Sequence, residues 1–186
     1  MRLIDTHSHL FLEEFSEDLP QVIERARSAG VTHIFMPNID STTIDSMLSV
    51  CNTYNDYCFP MIGLHPTSVN ADYEKELEIV ARELRSFNKY IAIGEVGMDL
   101  YWDKTFLKEQ QIVLDKQINW ALEYDLPVVI HCRDAFGYIY NVLEPYKNTS
   151  LKGVFHSFTG TDDEAARILE FSGFLIGTNG VVTFKK

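Results

Sequence analysis

The sequence predicts an α/β fold, a TIM-type (β/α)8 barrel lacking its last helix-strand-helix segment. Three observations carry this expectation. Short apolar runs rich in β-branched and aromatic residues alternate with longer amphipathic stretches along the whole chain. Strand and helix in repeated alternation mean parallel strands joined by helical crossovers. The polar residues that end these apolar runs come from many different strands. An open doubly wound sheet gathers its ligands at one switch point, whereas a barrel brings the carboxyl ends of many strands to one mouth.

The elements follow in order. Residues 2–5 form a first strand, and a helix at 19–29 stops at Gly30, a glycine suited to the left-handed position after a helix. A strand at 32–36 leads to a helix at 42–52, with Ser41 as its N-cap. The third strand, 59–64, precedes a charged amphipathic helix at 72–87. The fourth, 90–95, ends at Glu95 and precedes the long helix 104–123. The fifth, 127–131, ends at His131 before a helix at 135–143, which Asp134 is placed to cap. The sixth, 153–156, ends at His156 before a helix at 162–171, capped by Thr161. A seventh strand, 174–177, is the last. Most of these strands are nearly continuously apolar, which suits burial on both faces. A full barrel of this type takes about 250 residues, and the chain has 186. An unclosed barrel exposes two edge strands, so the expectation is a truncated chain or closure by another chain.

Residues 1–186 read as a single domain, long enough to bury a core without staples. The formal charge of −11 disfavours broad electrostatic affinity for nucleic acid or anionic membrane. It leaves room for a local site acting on phosphate. No run approaches the ~18 apolar residues of a spanning helix, and Met1 leads directly into Leu3-Ile4-Asp5 without a signal-like segment. Cys51, Cys58 and Cys132, sparse and odd in number, read as reduced thiols of a cytoplasmic protein.

The chemistry concentrates at strand ends. In Asp5-Thr6-His7-Ser8-His9, side chains two apart on an extended strand point the same way, so His7 and His9 can reach one metal ion. The plainer reading is two polar residues ending a strand. Four of the six histidines, however, terminate apolar strands, and His65 follows another. Histidine has no structural reason to recur there. With Glu95 in Gly94-Glu95-Val96-Gly97, the set offers imidazole and carboxylate ligands for Zn²⁺, Mn²⁺, Fe²⁺ or Ni²⁺, and a carboxylate can bridge two ions. Arg133 shares the side of His131 and suits an anionic substrate, or else a salt bridge to Asp134. His65 is open to substrate, metal or backbone, and His33, within a strand, reads as structural. Cys132 reads as a buried thiol. Tyr101 and Trp102 suit stacking on a base or sugar, or plain packing. There is no phosphate-binding Gly-Lys loop, dinucleotide fingerprint, nucleophile elbow or Cys-x-x-Cys pair, which leaves metal-assisted hydrolysis.

Together these stretches, with Gly63-Leu64-His65-Pro66, the full run Gly94-Glu95-Val96-Gly97-Met98-Asp99, His131-Cys132-Arg133-Asp134-Ala135, His156-Ser157-Phe158 and the segment from Gly177 to Lys185, resemble the TatD family of metal-dependent deoxyribonucleases among the amidohydrolase-like barrels. The resemblance implies two divalent metal ions (Mg²⁺, Mn²⁺ or Zn²⁺), one held by His7 and His9, one by His131 and His156, with Glu95 bridging and catalytic. It implies cleavage of phosphodiester bonds in DNA from the 3′ end, with His65 and Arg133 near substrate phosphate. Leu100 stands where the family usually has an aromatic residue. The family's aspartate at the end of strand 8 has no counterpart in this chain, so the second metal site is expected to survive better than the first. Two other readings use the same ligands: an amidohydrolase-type esterase, such as a D-aminoacyl-tRNA deacylase, and an inactive metal-binding fragment.

Overall fold

Among the described residues seven parallel strands follow one another in space in their sequence order: β1 (Leu3–Asp5), β2 (Val31–Met36), β3 (Cys58–Pro60), β4 (Ile93–Asp99), β5 (Val128–Arg133), β6 (Gly153–Phe155) and β7 (Phe174–Ile176). The structure is a computed structural model and describes residues 2–87 and 89–184. Among these residues six α-helices connect the strands: α1 (Leu19–Ser28), α2 (Ile44–Thr53), α3 (Tyr73–Ser86), α4 (Leu107–Glu123), α5 (Phe136–Leu143) and α6 (Asp162–Ile168). The ladders run β1-β2-β3 and β4-β5-β6-β7. A parallel bridge between Ile62 and Ile93 joins them: Ile62 N–H donates to Ala92 O at 3.2 Å, and Gly94 N–H to Ile62 O at 2.8 Å.

This sheet is curled rather than open. In a flat sheet β1 and β6 would stand five strand spacings apart, about 24 Å. Instead the rings of His7 and His156, just beyond those two strands, stack with centroids 3.9 Å apart. The structure therefore has the predicted α/β fold of a TIM-type barrel that lacks its last strand, a curled parallel sheet left unpaired between β1 and β7 among the described residues. Met61, Ala92 and Val129, with Phe35 and Val154 against them, form a small apolar cluster. Val129 and Val154 lie two residues before His131 and His156 on β5 and β6, so this cluster floors the histidine layer. The larger core lies between sheet and helices, around Ile34, Met47, Val80, Leu114, Ile130 and Ile139. Among the described residues β1 and β7 each pair with one strand only, and Ile4 and Leu175 on these flanks are exposed. No described helix is long and apolar enough to cross a membrane.

Local chemistry explains most boundaries. Gly30 adopts φ 89° directly after α1, as its glycine suggested. Thr161 caps α6 in a capping box with Glu164, although α6 ends at Ile168 rather than at 171. Other expectations are corrected. Ser41 is not the cap of α2: its N–H and hydroxyl both donate to Glu76, and α2 begins later, at Ile44. Asp134 makes no cap on α5, which starts after Ala135. The third strand is cut short at Pro60, with Ile62 contributing only the bridge to β4.

The correction with the largest consequence concerns β4. It does not end at Glu95 but continues to Asp99, paired with β5 through Asp99↔Arg133. All seven of its residues are buried. Glu95 thus lies inside a strand, and Gly97 lies directly opposite His131. The two strands approach so closely there that a Cβ on Gly97 would sit 2.0 Å from His131 O.

Candidate metal centre

Glu95, 2% exposed, is the acceptor around which five imidazoles gather. Its Oε2 lies 3.0 Å from His7 Nε2 and 3.5 Å from His9 Nε2. Its Oε1 lies 2.9 Å from His131 Nδ1, 3.5 Å from His65 Nε2 and 2.5 Å from His156 Nε2. A carboxylate offers about four lone-pair sites, two to each oxygen. Five imidazoles, three of them on Oε1, exceed that capacity.

Each arm of the cluster is held from outside. Beyond β1, Ser8 N–H donates to Phe35 O at 3.0 Å, which keeps the His7–His9 stretch beside β2. His7 N–H also donates to Asp5 Oδ1. Two glutamines seven residues apart on α4 clamp two backbones. Gln117 accepts from Leu64 N–H and donates to Leu64 O, fixing the residue before His65. Gln110 does the same at Asp99. Buried Asn38 spans the gap between β3 and β4, with its side-chain amide donating to Gly63 O at 2.9 Å and its backbone carbonyl accepting from Glu95 N–H. His156 N–H donates to Ile130 O.

Two hydrogen bonds set ring protons. The Thr67 N–H donates to His65 Nδ1 at 3.2 Å, so in the neutral ring the proton sits on Nε2, which becomes a donor toward the cluster. In His131, Nε2 faces Asp99 Oδ2 at 2.9 Å and donates to it, which leaves the Nδ1 lone pair facing Glu95 Oε1. Two lone pairs at that distance repel unless a cation, a proton or a metal ion, lies between them.

The electrostatics agree. Burial acts to raise the Glu95 pKa, but hydrogen bonds from His131, His156, His65 and His7 outweigh it and hold the carboxyl well below its ordinary range. Burial likewise acts to lower the His131 pKa, but Glu95 and Asp99 overcome it and raise it. His7 is lowered, because burial there outweighs the pull of Glu95. A neutral His7 is ready to be a ligand.

The donor atoms of His7, His9 and Glu95 lie within 4.8 Å of one another, and so do those of His65, Glu95 and His131. With His156 on Glu95 Oε1, this is a fit donor set for metal ions that prefer imidazole with carboxylate. A cavity of about 290 Å³, lined by Asp5, His7, Val154, His156, Ser157 and Asn179, opens beside the cluster. A larger one, about 730 Å³, lies over the starts of α5 and α6 against Phe136, Glu164 and Arg167 and touches none of the imidazoles.

Of the residues predicted from sequence, His7, His9, His65, Glu95, His131 and His156 all meet here. Arg133 does not. It is exposed, with its guanidinium 3.8 Å from the Tyr101 ring centroid, and no salt bridge to Asp134 occurs among the described residues. Cys132 is partly buried, its thiol pushed up to about 11 by burial. His33 stacks on Phe59, away from the site.

The sequence places Asp99 at the end of the Glu95 motif but assigns it no role in the site. The signal was parity: Asp99 lies four residues beyond Glu95, on the same face of one strand, once the strand is known to reach it. Asp99→Asn is expected to weaken metal binding about 10- to 100-fold, because the amide no longer fixes which nitrogen of His131 carries the proton. Equilibrium dialysis against Mn²⁺ or Zn²⁺ measures this, and unchanged affinity would count against the positioning role.

The family profile described as TatD related DNase matches residues 4–186. YabD of Bacillus subtilis, an uncharacterized metal-dependent hydrolase, is 36% identical over 183 residues, covering 98% of this chain and 71% of its own length. A 3′-5′ ssDNA/RNA exonuclease TatD of Pantoea ananatis is 30% identical over 180 residues, 97% of this chain and 68% of that protein. The crystal structure of YjjV, a TatD homologue from Escherichia coli, superposes with a TM-score of 0.90 at 32% identity, covering 98% of this chain and 70% of that one.

Proposed function

The chain belongs to the TatD-related DNase family of metal-dependent hydrolases, and on that premise we propose that it is a 3′-5′ exonuclease that hydrolyses phosphodiester bonds with two divalent cations. The observation that carries the reading is Glu95, whose two oxygens are shared between two donor groups, His7 with His9 and His131 with His156. A relative described as a 3′-5′ ssDNA/RNA exonuclease supports the substrate class.

Divalent cations held by His7, His9, Glu95, His131 and His156 would lower the pKa of a water from 15.7 toward about 7 and polarise the phosphoryl oxygen. The remaining work falls to side chains. His131 would present Nδ1 to a cation, with Nε2 turned to Asp99, and His7, its pKa lowered by burial, would present Nε2. His65 carries its proton on Nε2 and donates it as a hydrogen bond to a phosphoryl oxygen. Arg133, two residues along β5 from His131, offsets the charge of the scissile or neighbouring phosphate. Free thiols at Cys51, Cys58 and Cys132 favour a reducing, cytoplasmic setting.

The test is degradation of 3′-labelled single-stranded DNA in Mg²⁺ or Mn²⁺. Cleavage is expected to disappear with chelator and to return with added Mn²⁺. Hydrolysis of an aminoacyl ester with no cleavage of DNA or RNA would replace this reading.

A further inference from the structure

Beside the cluster, the end of β4 turns out into solvent and carries two large aromatic residues there. Trp102 is 78% exposed and Tyr101 50%. Their rings meet at 4.6 Å and 89°. The Arg133 guanidinium lies 3.8 Å from the Tyr101 centroid and 5.6 Å from that of Trp102. So exposed an indole gains little from packing, yet its surroundings are ordered. Leu100 N–H donates to Arg133 O at 2.9 Å, and Tyr101 N–H to Asp99 Oδ1 at 3.1 Å. The other oxygen of that carboxylate accepts from His131. The aromatic pair is thus tied to the ligand layer by two consecutive hydrogen bonds.

We propose that Trp102, braced by Tyr101 and Arg133, is a stacking platform for a nucleobase of the single strand whose phosphate lies at the Glu95 cluster. This rests on the nuclease reading above and adds what holds the strand. Three features favour this occupant. A chain with a charge of −11 cannot rely on a broad basic surface for a polyanion, whereas base stacking needs no field and accepts every base. The cation beside the rings, Arg133, matches a strand that alternates planar bases with phosphates. The placement also fits: Tyr101 and Trp102 directly follow Asp99, which pairs with Arg133 two residues, about 7 Å, beyond His131 along the strand, so the rings flank the ligand layer on its outer side. The cleft beneath Trp102, against Pro66, Asp99 and Phe106, is only about 160 Å³. That is below the usual size of a ligand pocket, so the base lies on the indole rather than in a hole.

Kinetics on single-stranded oligodeoxythymidylate test this. Trp102→Ala is expected to raise KM about tenfold with a much smaller effect on kcat, and Trp102→Phe to recover most of the loss. An abasic residue at the 3′ end of the substrate should cost the wild type a similar factor. Combining it with Trp102→Ala should add little, because base and indole are two halves of one contact. An equal KM for Trp102→Ala, or fully additive losses, overturns the platform while the nuclease reading stands. If the metal-loaded wild type cleaves no oligonucleotide, the nuclease reading falls and the platform with it. A binding readout independent of turnover uses the Trp120→Phe background, in which Trp102 is the sole tryptophan. Its fluorescence in chelator is expected to be quenched by oligodeoxythymidylate and less by the abasic strand. No quenching, or equal quenching by both, counts against the proposal.

Discussion

Glu95→Gln is expected to reduce metal-dependent hydrolysis by at least about 10³-fold, equivalent to about 4 kcal/mol of transition-state stabilisation. Gln matches Glu in shape, so the effect isolates charge. The wild-type carboxylate meets five imidazoles at 2.5–3.5 Å. It is held ionised by hydrogen bonds that outweigh its burial. An amide has one acceptor oxygen and cannot serve both donor groups at once. Metal content after dialysis should therefore fall together with turnover, while circular dichroism stays close to wild type because β4 keeps its backbone pairing. Turnover within tenfold of wild type would remove the bridging role.

Gly97→Ala carries the second large effect, and for a different reason. Gly97 has φ 139°, a backbone conformation open in practice only to glycine. Its added methyl would stand 2.0 Å from His131 O and 2.9 Å from His131 C. Neither atom belongs to a side chain that can swing away. Strain at such a φ costs of order 1–3 kcal/mol and overpacking a similar amount, so the loss of stability is expected to be at least about 3 kcal/mol in a urea titration. Relief requires β5 to separate from β4 at the Gly97↔His131 pair, which pulls His131 away from Glu95 and Asp99. Metal binding should therefore weaken even in the fraction that folds. A variant of wild-type stability would mean that the two strands do not approach this closely.

These two positions show where the sequence was legible. Glu95 was found because a lone acid among apolar residues and glycines, followed in other strands by His131 and His156, is chemically conspicuous. Gly97 and Asp99 stand within five residues of it, and although a glycine there suggests close backbone approach, the strand pairing that gives both residues their partners could not be read. An apolar run marks where a strand is buried, but where it stops depends on its neighbour's hydrogen bonds. Here Asp99 pairs with Arg133 and carries β4 four residues past the expected end. The same limit explains Ser41, whose preference for a helix cap yielded to Glu76 on α3, 35 residues away.

By itself the sequence determined the alternation of strands and helices, the barrel class and the side chains that converge at its mouth. These follow from burial periodicity and from the cost of placing histidines at the ends of apolar strands without a use for them. Only the tertiary structure decided what each imidazole does. His65 and His131 are the same residue type at equivalent places, but one accepts from the backbone of Thr67 and the other donates to Asp99. A ring's free lone pair is set by the partner of its other nitrogen. That partner is supplied by a local 3₁₀ turn in one case and by a neighbouring strand in the other. Arg133, likewise, had two partners within reach of its sequence position, and the structure places its guanidinium on the face of a third, Tyr101, just beyond the end of β4.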